Sequence, residues 1–234
     1  MQTKSGDSHH VLSLCCIFFL RTLYVRVLRK ITHDCKMWIF CLEGAAGAGK
    51  STLVQLLKPN FPVLEEEFMD PDENRGNRVQ LHPQGLVMEA RWVSRWFERA
   101  LLLAKQGTKC AFSDRSPYSA EIYGHCGELL APMIREQIQE LASHDIHVVT
   151  ILVHVDQDIL WDRVQQRLLR EPHRVKYGEA DKEFFRRIMT VYERHAWDFR
   201  VDNTPVGVHD ALGLIRHEVA HCMAIPRLME CPVG

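Results

Sequence analysis

From residue 37 onward, short apolar runs alternate with longer stretches whose apolar positions recur at three- and four-residue spacing. The short runs predict strands at 38–42, 62–66, 109–113, 147–155 and 199–202, and the longer stretches predict helices at 50–57, 84–105, 130–143, 158–169, 182–197 and 209–223. Strands alternating with helices of these lengths predict a parallel sheet wrapped by crossover helices, an α/β sandwich. Two stretches break the pattern. Residues 69–83, rich in Asp, Asn, Gly and Pro, predict an exposed mobile loop. Residues 171–180, with Pro172, Gly178 and a cluster of charges, have the makings of a lid.

A chain of 234 residues suits one globular domain with appendages. A formal charge of −1 provides no global field toward a nucleic acid polymer or an anionic membrane, so any basic function is local. The 8 cysteines show no CxxC pair and read as reduced thiols of an intracellular compartment. The apolar run 11–20 is too short for a membrane span, which needs about 20 residues. Its positive charges, Arg21, Arg26, Arg29 and Lys30, follow the run rather than precede it, against a secretory signal. That leaves two readings of residues 1–36: a mitochondrial presequence, which Asp7 and Asp34 oppose, or a dispensable extension before an internal start at Met37. The expected organisation is an extension at 1–36, a domain at 37–225 and a tail at 226–234, with cytoplasmic residence and mitochondrial import as the alternative.

Gly44-Ala45-Ala46-Gly47-Ala48-Gly49-Lys50-Ser51 satisfies G-x-x-x-x-G-K-S, directly after a predicted strand and before a predicted helix. Small residues let the backbone curl round a phosphate, so that successive N–H groups and the helix N-terminus, with Thr52 in its first turn, point at the anion. Lys50 is expected to reach the outer phosphates of ATP, and Ser51 to offer its hydroxyl to Mg2+. Asp114, ending the third predicted strand, sits where an acid faces the ligand crevice of a parallel sheet and is the second expected magnesium partner. Arg115 follows at once, placed to hold the acceptor's oxygen or phosphate, although a plain surface turn would look the same.

Asp114-Arg115-Ser116-Pro117-Tyr118-Ser119, with the phosphate loop, resembles the deoxynucleoside kinase and thymidylate kinase superfamily over most of residues 37–225. Asp114 stands where those enzymes more often carry Glu. The resemblance implies a three-layer α/β/α P-loop kinase with a central five-stranded parallel sheet and a helical lid. It also implies a glutamate at the end of the second strand acting as general base toward the acceptor hydroxyl. Here that strand ends Glu65-Glu66-Glu67 without the family's following proline; Glu66 is favoured by its offset from Phe68, and Glu65 and Glu67 stand as alternatives.

Arg163, Arg167, Arg170 and Arg174 recur at helical spacing into the predicted lid. The resemblance points to Arg167 and Arg170 as the pair that closes over the triphosphate; a salt-bridged surface helix is the other reading. On the long helix, Met88, Trp92 and Trp96 form one apolar stripe, and Leu86, Val93, Phe97 and Leu101 a second. One stripe serves the core, and the surplus serves either a flat base, through Trp92, or a homodimer. Gln84 is a carry-over of the family's base-reading glutamine, which in the relatives lies deeper in the helix.

His217-Glu218-Val219-Ala220-His221 matches the zinc-peptidase pattern, but the 13 residues beyond leave little room for a third ligand. No guanine-reading Asn-Lys-x-Asp follows the fourth strand. The expected activity is ATP- and Mg2+-dependent phosphorylation of a (deoxy)nucleoside at its 5′-hydroxyl. The alternatives are a thymidylate or other monophosphate kinase, to which Glu179 through Ala196 is similar, and an NTP-binding module without transferase activity.

Overall fold

The computed structural model describes residues 37–66, 81–204 and 207–224. The expected extension and tail, Glu67, Phe68 and most of the loop at 69–83 lie outside them. Among the described residues, strands β1 (Met37–Glu43), β2 (Val63–Leu64), β3 (Cys110–Asp114), β4 (Ile146–His154) and β5 (Phe199–Asp202) form one parallel sheet in the order β2-β3-β1-β4-β5. The helices are α1 (Lys50–Leu57), α2 (Leu86–Lys105), α3 (Tyr118–Tyr123), α4 (Gly127–Ser143), α5 (Gln157–Arg170), α6 (Lys182–Arg194) and α7 (Gly207–Ala224), with a 3-10 helix at Pro172–Tyr177. No helix among the described residues is long and apolar enough to cross a membrane.

β1 lies between β3 and β4 and is buried along its whole length, the fate of an apolar run in a parallel sheet covered on both faces. Its alternating side chains feed two cores. Met37, Ile39 and Cys41 pack with Trp92, Val93, Trp96 and Phe97 of α2 and with Leu130 and Ile134 of α4. On the alternate positions Phe40 stacks on Trp38 at 6.2 Å between ring centroids and meets the Phe112 ring, tilted, at 5.6 Å. The two apolar stripes expected on α2 are therefore divided otherwise. Trp92, Val93, Trp96 and Phe97 all enter the core, while Leu86 and Leu101 are exposed.

The predicted elements are all present, and the differences lie at their ends. β2 is shorter than the expected 62–66, because beyond Leu64 the chain turns Glu65 toward Lys58 and Glu66 toward Arg115 instead of continuing the ladder. α6 stops at Arg194 rather than 197: His195 is extended, and the Trp197 indole donates to the Tyr192 carbonyl at 2.7 Å. The expected irregular lid contains the 3-10 helix, which Gly178 ends at φ 78°, where a Cβ would lie 3.1 Å from the Phe184 ring. α3, with six residues, is too short to show a period and was not expected.

Candidate active site

The loop between β1 and α1 turns on glycines with positive φ. A Cβ on Gly44 would lie 2.6 Å from the Val153 carbonyl oxygen, and one on Gly49 2.9 Å from Asn203 Nδ2, so neither position admits a side chain. Asn203, just past β5, braces the loop: its side-chain amide donates to the Ala48 carbonyl at 3.0 Å, and its backbone N–H to the His154 carbonyl at 2.8 Å. The Lys50 amine donates to the carbonyls of Gly44 and Ala45 at 2.8 and 3.1 Å, which holds it across the loop. Burial, then the nearby Arg115 charge, lowers its pKa to about 8, against the pull of Asp114, Glu66 and Glu43.

Ser51 and Asp114 meet here. The Ser51 hydroxyl donates to Asp114 Oδ2 at 2.6 Å, and Asp114 Oδ1 is buried with no hydrogen-bond partner. A hard cation wants oxygen ligands, and a hydroxyl beside a buried carboxylate with an unmatched oxygen supplies that donor set at the mouth of a phosphate loop. The residues present thus fit magnesium.

Arg115 sits at φ 76°, a left-handed conformation that costs a side-chain-bearing residue about 1–3 kcal/mol. Its surroundings hold it there. Its backbone N–H donates to Leu42, its Nε donates to Glu66 Oε1 at 2.8 Å, and its guanidinium lies 4.8 Å over the Tyr123 ring. Beneath it Glu43, fully buried, accepts from the Ser116 backbone and hydroxyl at 2.7 Å, from Ser119 at 3.1 Å and from Tyr192 at 2.9 Å. Glu43 escaped the sequence reading, although an acid ending an otherwise apolar strand just before the phosphate loop was visible there.

A cleft opens beside these groups. Glu66, Arg115, Trp92 and Gln84 all line it, together with Ala46 of the loop, Glu89 of α2, Tyr123 of α3, and Tyr177 and Glu179 of the lid. Trp92 belongs at once to core and cleft wall, and the Gln84 amide donates to the Tyr177 carbonyl at 3.3 Å. Glu89 was not singled out in the sequence. It is 1% exposed, and burial raises its carboxyl pKa to about 9, with Glu66 adding to the shift and Arg115 opposing it.

The arginines of α5 part company. Arg167 pairs with Glu179 at 2.9 Å, and Arg174 from the 3-10 helix pairs with the same carboxylate at 3.0 Å. Arg163 donates to the Gly47 carbonyl of the phosphate loop at 3.4 Å. Arg170 turns back on its own helix to Gln166 at 3.4 Å in an exposed setting. The pair gathered at the lid carboxylate is thus Arg167 with Arg174, while Thr52 is exposed on α1.

No protein-family model matches the chain, and no curated protein matches it significantly. Solved structures do. A deoxyadenosine kinase from M. mycoides, with bound dATP, superposes with TM-score 0.51 at 16% identity, covering 78% of this chain and 98% of that one. A candidate kinase from Chloroflexus aurantiacus j-10-fl superposes with TM-score 0.55 at 13% identity over the same shares. Identities this low speak for architecture alone, and the architecture is the deoxynucleoside kinase-like P-loop kinase fold.

Proposed function

We propose that this chain is a nucleoside kinase that transfers the γ-phosphoryl group of ATP to the 5′-hydroxyl of a (deoxy)nucleoside. The observation that carries the reading is the Glu66 carboxylate in the cleft, 2.8 Å from Arg115, the residue that directly follows the Asp114 bonded to Ser51. Loop amides and Lys50 bind the β- and γ-phosphates. Glu66 accepts the proton of the 5′-hydroxyl as that oxygen bonds to the γ-phosphorus, and the bond to the β-γ bridging oxygen breaks to release ADP. Arg115 keeps Glu66 oriented. Ser51 and Asp114 would hold magnesium, which when bound would supply positive charge to neutralise the outer phosphates. Arg167 and Arg174, released from Glu179, supply positive charge to the transferring group.

A monophosphate acceptor is the second reading, favoured by the similarity of Glu179 through Ala196 to the thymidylate kinase lid. The charge of the cleft opposes it. Among the described residues, Glu66 and Glu179 line the wall as carboxylates against one arginine, Arg115, itself already paired, while burial holds Glu89 neutral; a phosphate dianion needs unpaired arginines. We keep the homodimer as part of the proposal, with the exposed Leu86, Val87, Leu101 and Leu102 of α2 as the surface covered. We likewise keep residues 37–225 as the kinase domain, resident in the cytoplasm, with import by way of 1–36 the alternative.

The test is transfer from labelled ATP, with magnesium, to a panel of ribo- and deoxynucleosides and their monophosphates, with Lys50→Ala as the control. Product from nucleosides, lost in a folded Lys50→Ala variant, supports the proposal. Product from monophosphates alone moves the chain to the nucleotide kinases. Absence of product with every acceptor leaves an NTP-binding module.

A further inference from the structure

Glu89 has no role in the chemistry above, yet it is built into the acceptor side of the cleft. Its side chain leaves the first turn of α2 beside Trp92, and its Oε1 is buried without a hydrogen-bond partner. Gly124, following α3, closes over it: a Cβ there would lie 3.4 Å from Glu89 Cγ. A buried polar atom left unmatched is costly and is usually matched by something. Since Oε1 belongs to a side chain lining the cleft, a ligand in the cleft is the partner in reach.

We propose that Glu89 reads the acceptor's base through a carboxyl group that donates one hydrogen bond and accepts another, taking an edge that sets an amino group beside an unprotonated ring nitrogen, as in adenine or cytosine. The inference rests on the nucleoside reading and names its base class.

The protonation state decides the edge. An ionised carboxylate only accepts, and its match is an edge of two donors, such as the N1–H and amino group of guanine. A neutral carboxyl offers one donor and one acceptor. Its carbonyl takes the amino hydrogen, and its O–H finds a stronger acceptor in a basic ring nitrogen than in the carbonyl oxygen of thymine or uracil. The neutral form is the one this site favours, because burial outweighs the attraction of Arg115, and Glu66 reinforces burial. Tyr123 of α3 and Tyr177 and Glu179 of the lid also line the cleft, so Arg115 is the one cationic side chain among the described residues that line it. Gln84, the glutamine expected to read the base, has its amide engaged by the Tyr177 carbonyl. Trp92 supplies an apolar wall for a flat ring.

The experiment is calorimetric binding of adenosine, cytidine, thymidine and guanosine, with their deoxy forms, to the purified full chain without ATP, from pH 6.5 to 9.5. Glu89→Gln and Glu89→Leu are measured alongside. Wild type should bind the adenine and cytosine nucleosides about 10-fold or more tightly than the others. It should lose that affinity as the pH rises through about 9. Glu89→Gln retains a donor and an acceptor, so it should bind the same nucleosides within a few-fold but without the alkaline loss. Glu89→Leu should lose about 10- to 100-fold. An alkaline limb that persists in Glu89→Gln overturns the proposal, as does tightest binding of guanosine or thymidine, or no nucleoside binding at all. Binding that depends on Glu89 without phosphate transfer would instead leave the base reader standing and remove the transferase reading.

Discussion

Ser51 donates its hydroxyl hydrogen to Asp114 across 2.6 Å, joining the first turn of α1 to the carboxyl end of β3. The contact leaves Asp114 with one oxygen engaged and one unmatched, an arrangement suited to sharing a divalent cation. Asp114→Asn keeps the shape and removes the charge. It should lower kcat by about 100-fold or more and raise the magnesium concentration needed for half-maximal rate, because stabilisation of transferring charge is usually the largest part of such catalysis. Initial rates titrated with magnesium decide the matter. An unchanged magnesium dependence in the variant would remove Asp114 from the metal site.

Glu66 should behave as a group acting on the acceptor alone. Glu66→Gln removes the base and half of an ion pair whose side chains are 6% and 15% exposed. A general base contributes about 100- to 10,000-fold, so kcat should fall within that range while KM for ATP stays near wild type. Glu65→Gln is the control, since Glu65 is half-exposed and occupied with Lys58. If both variants lose activity equally, the base is not Glu66.

The same two glutamates show what sequence carries and what it leaves out. The phosphate-loop motif stood out because it is compressed into eight consecutive residues between a strand and a helix, and Asp114 was a candidate because strand ends in a parallel sheet face the ligand crevice. The run Glu65-Glu66-Glu67 was ambiguous, since three like residues give a period no purchase. The structure separates Glu65 and Glu66 by partner, Lys58 for one and Arg115 for the other. Glu89 and Asn203 were illegible for another reason, and Glu43, although visible as an acid at a strand end, gave no sign of its role: their importance lies in burial and in distant partners. Glu43 meets Tyr192, 149 residues on, and Asn203 meets Ala48, 155 residues back. No local pattern marks such pairs.

Lys50 makes nucleotide affinity depend on pH. Its pKa, lowered to about 8 chiefly by burial, means the free protein loses the ammonium charge as pH rises through about 8. Bound phosphates favour the charged form and raise that pKa again. ATP affinity should therefore be constant below about pH 7 and fall above about pH 8, by up to about tenfold per pH unit. Fluorescent ATP-analogue binding between pH 6 and 9.5 checks this. A flat profile would mean that the lysine stays charged throughout.

Within the arginine cluster, Arg167 should matter more than Arg170. Arg167 is held at a lid carboxylate that lines the cleft, whereas the exposed Arg170 donates to the Gln166 carbonyl of its own helix. Arg167→Ala should lower kcat by about 10-fold or more, and Arg170→Ala by less than about threefold. Equal losses would restore the pair that the family resemblance implies.

Glu89 should leave its mark on stability as well as on binding. Its carboxyl pKa in the folded chain is raised from 4.5 to about 9, so between those values the unfolded chain has lost the proton that the folded chain retains. The folded state then binds more protons, and stability contributed by this group falls as pH rises, by about 1.4 kcal/mol per pH unit at most. The contribution is fully present below the unfolded value and gone above about pH 9. Glu89→Gln cannot ionise and should lack this slope. In urea unfolding from pH 5.5 to 8.5, the variant should therefore gain steadily on wild type, whichever is the more stable at the acid end. Parallel pH profiles would mean that the folded chain ionises Glu89 at an ordinary pKa, and the neutral carboxyl required for reading an adenine or cytosine edge would be lost with it.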